Sequence, residues 1–164
     1  MLQDVNIAKY FLSKDKERKL FNKKLVHKSG RDFYEGNARL NKYLHLAQNI
    51  YIAKTGDKLC AEDLYAYDNG AISPSVQENY SVLLSKTDVP EIPSEIRTYL
   101  DKIYTIFQNA SLDELIELSH EDSEWIGKHG YYEKADQRMN SLAHVAEYKA
   151  QYKDVLKVMD RLAV

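Results

Sequence analysis

The sequence predicts a mainly α-helical fold, a compact multi-helix single domain over residues 1–164, and three observations predict it. Apolar residues recur at three- and four-residue spacing through 38–55, 94–118 and 133–163, the period of a helix that buries one stripe. Gly and Pro fall between these stretches and never inside them. Only residues 59–73 offer a β candidate, as a small β-hairpin or extended segment.

At the N-terminus Asp4 can cap a first helix carrying Val5, Ile7, Ala8, Phe11 and Leu12 and ending near Ser13. Residues 14–37 form a basic insertion punctuated by Gly30 and Gly36, with one or two helical turns expected around Leu20, Phe21, Leu25 and Val26. The central helix runs from Ala38 to Thr55 on Leu40, Tyr43, Leu44, Ala47, Ile50 and Tyr51, and Gly56 stops it.

Asp68-Asn69-Gly70 is turn chemistry, because Asn and Gly tolerate positive φ. Ser73-Pro74 reads as an N-cap with proline at the first helical position, where its missing N–H costs nothing. Ser94 caps a helix with the face Ile96, Leu100, Ile103, Tyr104 and Phe107, and Ser111 with Glu114 makes a capping box for the next. His120 to Gly130 is expected to be a loop holding the single tryptophan, Trp125.

Residues 133–163 lack Gly and Pro and predict one long C-terminal helix. Val145, Tyr148, Tyr152, Val155, Met159 and Leu162 are spaced as a heptad seam. Packing on the same molecule ranks first for that seam and a homodimer second.

Composition narrows the function classes. The 44% apolar and 29% charged residues are those of a folded domain. Cys60 is the only cysteine, which suits a reducing compartment and excludes a Cys-rich metal cluster. No stretch has the apolar length to span a membrane, and the start lacks the basic patch and apolar run of a signal peptide, so a cytoplasmic protein is expected.

No catalytic constellation emerges. His120-Glu121-Asp122-Ser123-Glu124 has part of a zinc-protease pattern, but the second histidine is missing and the segment follows a helix. His27, His45, His129 and His144 share no ligand spacing, and the glycines are scattered singly, which leaves no phosphate loop. No catalytic residues, metal or cofactor are expected, and a metal-dependent enzyme around His120 is the weakest of the alternatives.

The net charge of −2 hides a segregation: 14–31 is strongly basic, whereas 111–124 carries six acids and no base. The basic stretch, including Lys23 and Lys24, reads first as solvated surface, second as an edge for a protein partner and third as a nucleic-acid contact with Phe21, Phe33 and Tyr34 for stacking. Thirteen tyrosines favour a binding module, since tyrosine buries area with little rotamer entropy and keeps a hydrogen bond. Tyr43, Tyr51, Tyr67 and Trp125 are expected to cluster, mostly as core and in part as an aromatic partner-binding face.

The segment from Leu40, Lys42, Leu44, Ala47 and Gln48 to Gly56 resembles the signature helix of the Panacea family, the SocA-like or GepA-like phage-associated proteins. The resemblance continues in order through Glu62-Asp63-Leu64, Gly70 and Pro74 to Leu115, Ser119-His120 and Trp125, covering about 38–126. Ala71 and Glu124 stand where the family pattern has proline, the stretch 14–37 is longer than its usual connector, and 133–163 lies outside its core. The resemblance implies a helical antitoxin domain that binds and neutralises a small protein toxin without enzymatic activity.

Overall fold

The computed structural model describes residues 1–28, 30–86 and 88–162. Its order is α1 (Asp4–Lys14), β1 (Leu25–Lys28), β2 (Arg31–Tyr34), α2 (Glu35–Thr55), β3 (Tyr65–Tyr67), β4 (Gly70–Ile72), α3 (Pro74–Glu78), α4 (Tyr80–Leu84), α5 (Ser94–Phe107), α6 (Leu112–Ser119), α7 (Ser123–Lys128), α8 (Val145–Gln151) and α9 (Lys153–Arg161). Two 3-10 turns, Lys134–Gln137 and Ser141–His144, precede α8. The fold is mainly helical, with β1–β2 and β3–β4 as two separate antiparallel hairpins.

Helix α2 is the axis, with α1, α5, α6 and α8 packed round it. Its apolar side joins Ile7, Phe11, Leu100 and Ile103 in the main core. Tyr43 lies there fully buried, edge-on to Phe11 and Phe21 at 5.4 and 5.3 Å between centroids. Such contacts add about 0.5–1.5 kcal/mol each to the burial of the rings.

The polar side of α2 is buried as well. Arg39 Nη1 donates to Ala110 O, Asn41 Oδ1 accepts from Ser73 N, and Gln48 Oε1 accepts from Leu59 N and Cys60 N. Each polar side chain thus fastens a different connecting segment to the helix, satisfying backbone groups that burial would otherwise leave unpaired. The helix ends at Gly56 in the left-handed region (φ 79°), with its N–H on Ile52 O.

Several sequence expectations are corrected. The basic insertion 14–37 holds a β-hairpin instead of helical turns, because Asp15 accepts from the backbone N–H groups of Lys19, Leu20 and Phe21 and draws the chain out of the helix. Asp122 caps α7 through Glu124 N inside the expected 120–130 loop. Pro93 takes the N-cap position of α5, one residue before Ser94. Ser73 precedes α3, but its hydroxyl meets Ser75 and does not cap.

The long C-terminal helix is also corrected. Residues 131–144 are pulled across the β3 segment by Met139 N on Leu64 O and Arg138 Nε on Asp63, so only α8 and α9 remain, joined at Tyr152. Tyr148, Tyr152 and Met159 of the heptad seam lie buried in the chain's own core, with Val145 and Val155 half-buried against it.

Asp4 is the first residue of α1 and not its cap; it is fully buried, with no hydrogen-bond partner for either oxygen among the described residues. Burial pushes its carboxyl up to about 6. A raised carboxyl gives stability that is fully present below the unfolded value of 3.8 and is lost as pH rises through about 6. Asp4→Asn is therefore expected to raise stability at pH 7 by about 1–3 kcal/mol and to flatten the stability profile between pH 4 and 6, as read by urea unfolding.

Candidate functional site

Four parts of the fold enclose one cavity of about 500 Å³, a volume in the range of ligand and side-chain pockets. Its walls are the first half of α2, the β1–β2 hairpin, the β3–β4 hairpin and α6 with His120. Phe33, Ile72 and Ile116 supply apolar surface. At the mouth Lys28 of β1 pairs with Asp113 of α6, and Arg31 of β2 lies 4.0 Å from Asp68 in the β3–β4 turn. Exposed pairs of this kind contribute about 0–1 kcal/mol each.

Lys42 stands within these walls, 3% exposed, and its Nζ donates to Asn69 O at 2.8 Å. Burial pushes its ammonium down to about 8. Gly70, at φ 131°, closes the turn, and a Cβ there would fall on the Lys42 amine. The glycine is needed twice, for the backbone angle and for the space the lysine occupies.

His120 caps the C-terminal end of α6 through its backbone N–H on Ile116 O. Its ring does not bond the helix-end carbonyls; it stacks on Trp125 at 4.0 Å and 5°. His129 covers the other indole face at 4.2 Å, and Trp125 Nε1 donates to Tyr67 O at 2.8 Å. His120 Nε2 is buried with no partner among the described residues, and burial together with the Lys42 charge holds the imidazole below the ordinary histidine range.

The expected aromatic cluster is dispersed. Tyr43 belongs to the main core, Tyr51 is half-buried against Tyr99 at 5.2 Å, and Tyr67 joins Trp125 through its carbonyl alone. Leu40, Leu44 and Ala47 are core residues, Pro74 opens α3, and the Ser111–Glu114 capping box forms in both directions. Lys23 and Lys24 are exposed ahead of β1. Part of the basic stretch is paired with carboxylates: Lys14 with Asp101, Lys19 with Glu17, Lys24 with Glu35, Lys28 with Asp113 and Arg31 with Asp68. That pairing removes part of the charge a nucleic-acid contact would use.

A second polar group escaped the sequence reading. Asp122, fully buried, accepts from His45 Nε2 at 2.6 Å, Asn49 Nδ2 at 2.8 Å and Tyr148 OH at 2.7 Å. Burial works to raise its carboxyl, and these donors outweigh it and bring it down to about 2. His45 and Asp122 are 77 residues apart, so no local spacing could signal the pair.

Ser123, His144 and Glu124 lie in a hydrogen-bonded row, with Ser123 Oγ 3.2 Å from His144 Nδ1 and His144 Nε2 2.9 Å from Glu124. Burial opposes the imidazolium, but Glu124 and Glu147 raise His144 above the usual histidine value. The Ser123 hydroxyl is itself engaged by Glu147, so its proton is not committed to His144. Among the described residues no three His, Cys, Asp or Glu side chains form a group that could hold a metal, and no helix is long and apolar enough to cross a membrane.

The antitoxin SocA-like Panacea domain model matches residues 40–126. The chain belongs to this family. No curated protein and no solved structure gives a significant match. The matched span runs from α2 into α7, so Lys42, Gly70, His120 and Trp125 are residues of the Panacea domain: Lys42 and His120 line the cavity, Gly70 abuts the Lys42 amine and Trp125 stacks on His120. Of the two departures from the family pattern, Glu124 has a local reason. Ala71 is fully buried beside Trp125 and Met139. Glu124 gives its N–H to Asp122 and its carboxylate to Asn140 N, His144 and Lys128, fastening the segment beyond the Panacea domain; proline could do neither.

Proposed function

We propose that this chain is a non-enzymatic antitoxin that neutralises a small protein toxin by binding it directly, on the face where the cavity opens. The observation that carries this reading is the convergence of the Panacea residues Lys42 and His120 on that cavity, with Gly70 making room for the Lys42 amine. A purely structural motif has no need of a buried lysine, whose desolvation weakens the fold. Tyr67 at the cavity and the exposed Lys23 and Lys24 are the contacts proposed around it.

The test is affinity purification of the tagged chain from its host at low salt, with and without nuclease, followed by co-expression of the recovered partner. One small protein at near-equal amount, resistant to nuclease and toxic unless the chain is present, is the expected result. Recovery of nucleic acid alone, or of no partner, overturns the reading.

A further inference from the structure

Lys42 is a buried cation without a counter-ion. Its one hydrogen bond among the described residues goes to a neutral carbonyl, and burial is what lowers its ammonium, with no carboxylate acting against it. Buried charges are ordinarily paired, because desolvation is costly until an opposite charge repays it. The acids that line the cavity do not serve this purpose. Asp32 meets His27 at 2.7 Å, Asp113 meets Lys28, and Glu117 is exposed. On the same lining, the buried His120 Nε2 is also unpartnered among the described residues.

We propose that the cavity receives a carboxylate of the protein partner, which takes the Lys42 ammonium as its counter-ion and His120 Nε2–H as a second donor, with Phe33, Ile72 and Ile116 against its aliphatic stem. This rests on the protein-binding reading above. The carboxylate is an acidic side chain or a C-terminus, and both present the same group at the end of an apolar stem. A charge-assisted bond to a desolvated ammonium is stronger than one made at the surface, so this contact is a specificity point and not a rim interaction.

Two measurements test it. The first follows the Lys42 Cε and Nζ resonances by NMR through a pH titration, assigned with Lys42→Met, in the free protein and with three probes: N-acetyl-glutamate α-amide, N-acetyl-leucine and neutral N-acetyl-leucine amide. The midpoint, about 8 in the free protein, is expected to move up toward 10.5 with a carboxylate probe and to stay with the neutral one. Movement with the first probe alone assigns an acidic side chain, with the second alone a C-terminus. No movement with either, or equal movement with the neutral probe, overturns the proposal.

The second measurement compares the recovered partner's affinity for the wild type and for Lys42→Met. A loss of at least about tenfold, with thermal stability kept or raised, is expected, and unchanged affinity overturns the proposal. The NMR titration needs no partner, so a chain that captures none fails the antitoxin reading while the cavity is still judged by its own chemistry.

Discussion

Asp122→Ala is expected to destabilise the domain by about 3–5 kcal/mol, measured by urea unfolding near neutral pH. The substitution removes the acceptor shared by His45 Nε2, Asn49 Nδ2 and Tyr148 OH, and all three donors lie in the interior. It also removes the N-cap of α7, itself about 0.5–2 kcal/mol. Tyr148→Phe, which deletes one donor and leaves the carboxylate His45 Nε2, Asn49 Nδ2 and Glu124 N, is expected to cost about 1.5–3 kcal/mol, and the two losses should not add, since they share one bond. A loss below about 1 kcal/mol for Asp122→Ala would refute the view of this group as the clamp between α2, α7 and α8. The same carboxylate predicts acid behaviour: a depressed group gives stability present above its unfolded value of 3.8 and lost as pH falls through about 2.

Gly36→Ala is expected to cost about 2–4 kcal/mol, although helix propensity alone favours alanine by about 1 kcal/mol. Gly36 lies in the first turn of α2, and a Cβ there would come within 2.5 Å of the Tyr80 hydroxyl and of the backbone N and O of Asn22. Backbone atoms cannot rotate aside as a side chain can. The helix start would have to move off the segment before β1, breaking the 2.7 Å bond from Tyr80 OH to Asn22 O. The two effects have opposite signs, so the sign of the stability change read by calorimetry shows which one dominates. An alanine variant as stable as the wild type would mean that this contact gives way at little cost.

Local chemistry was legible in the sequence wherever a few neighbouring residues decide the outcome. The capping box at Ser111 and Glu114, the stop at Gly56 and the turn before Gly70 need only propensity and hydrogen bonds within a few positions, and all three form. The Panacea blocks were legible for a related reason: their order and spacing lie along one chain, and the family match covers 40–126. The C-terminal segment was misread because nothing within 133–144 forbids a helix. Bonds from Met139 and Arg138 to Leu64 and Asp63, some 75 residues away, hold it against the β3 segment and break it into two 3-10 turns.

The sequence by itself determined that this protein is a helical Panacea domain with α2 at its centre, because periodic burial, capping and motif spacing are local properties. Only the tertiary structure decided what the polar residues of α2 do. A helix with one apolar stripe predicts a polar face in water, yet Asn41, Lys42, His45, Gln48 and Asn49 are all buried. Periodicity records which residues avoid water but not which polar groups find partners elsewhere in the chain. Those partners, Ser73, Asn69, Asp122 and Leu59, are supplied by folding and turn the expected wet face into the floor of a cavity and the seat of a buried carboxylate.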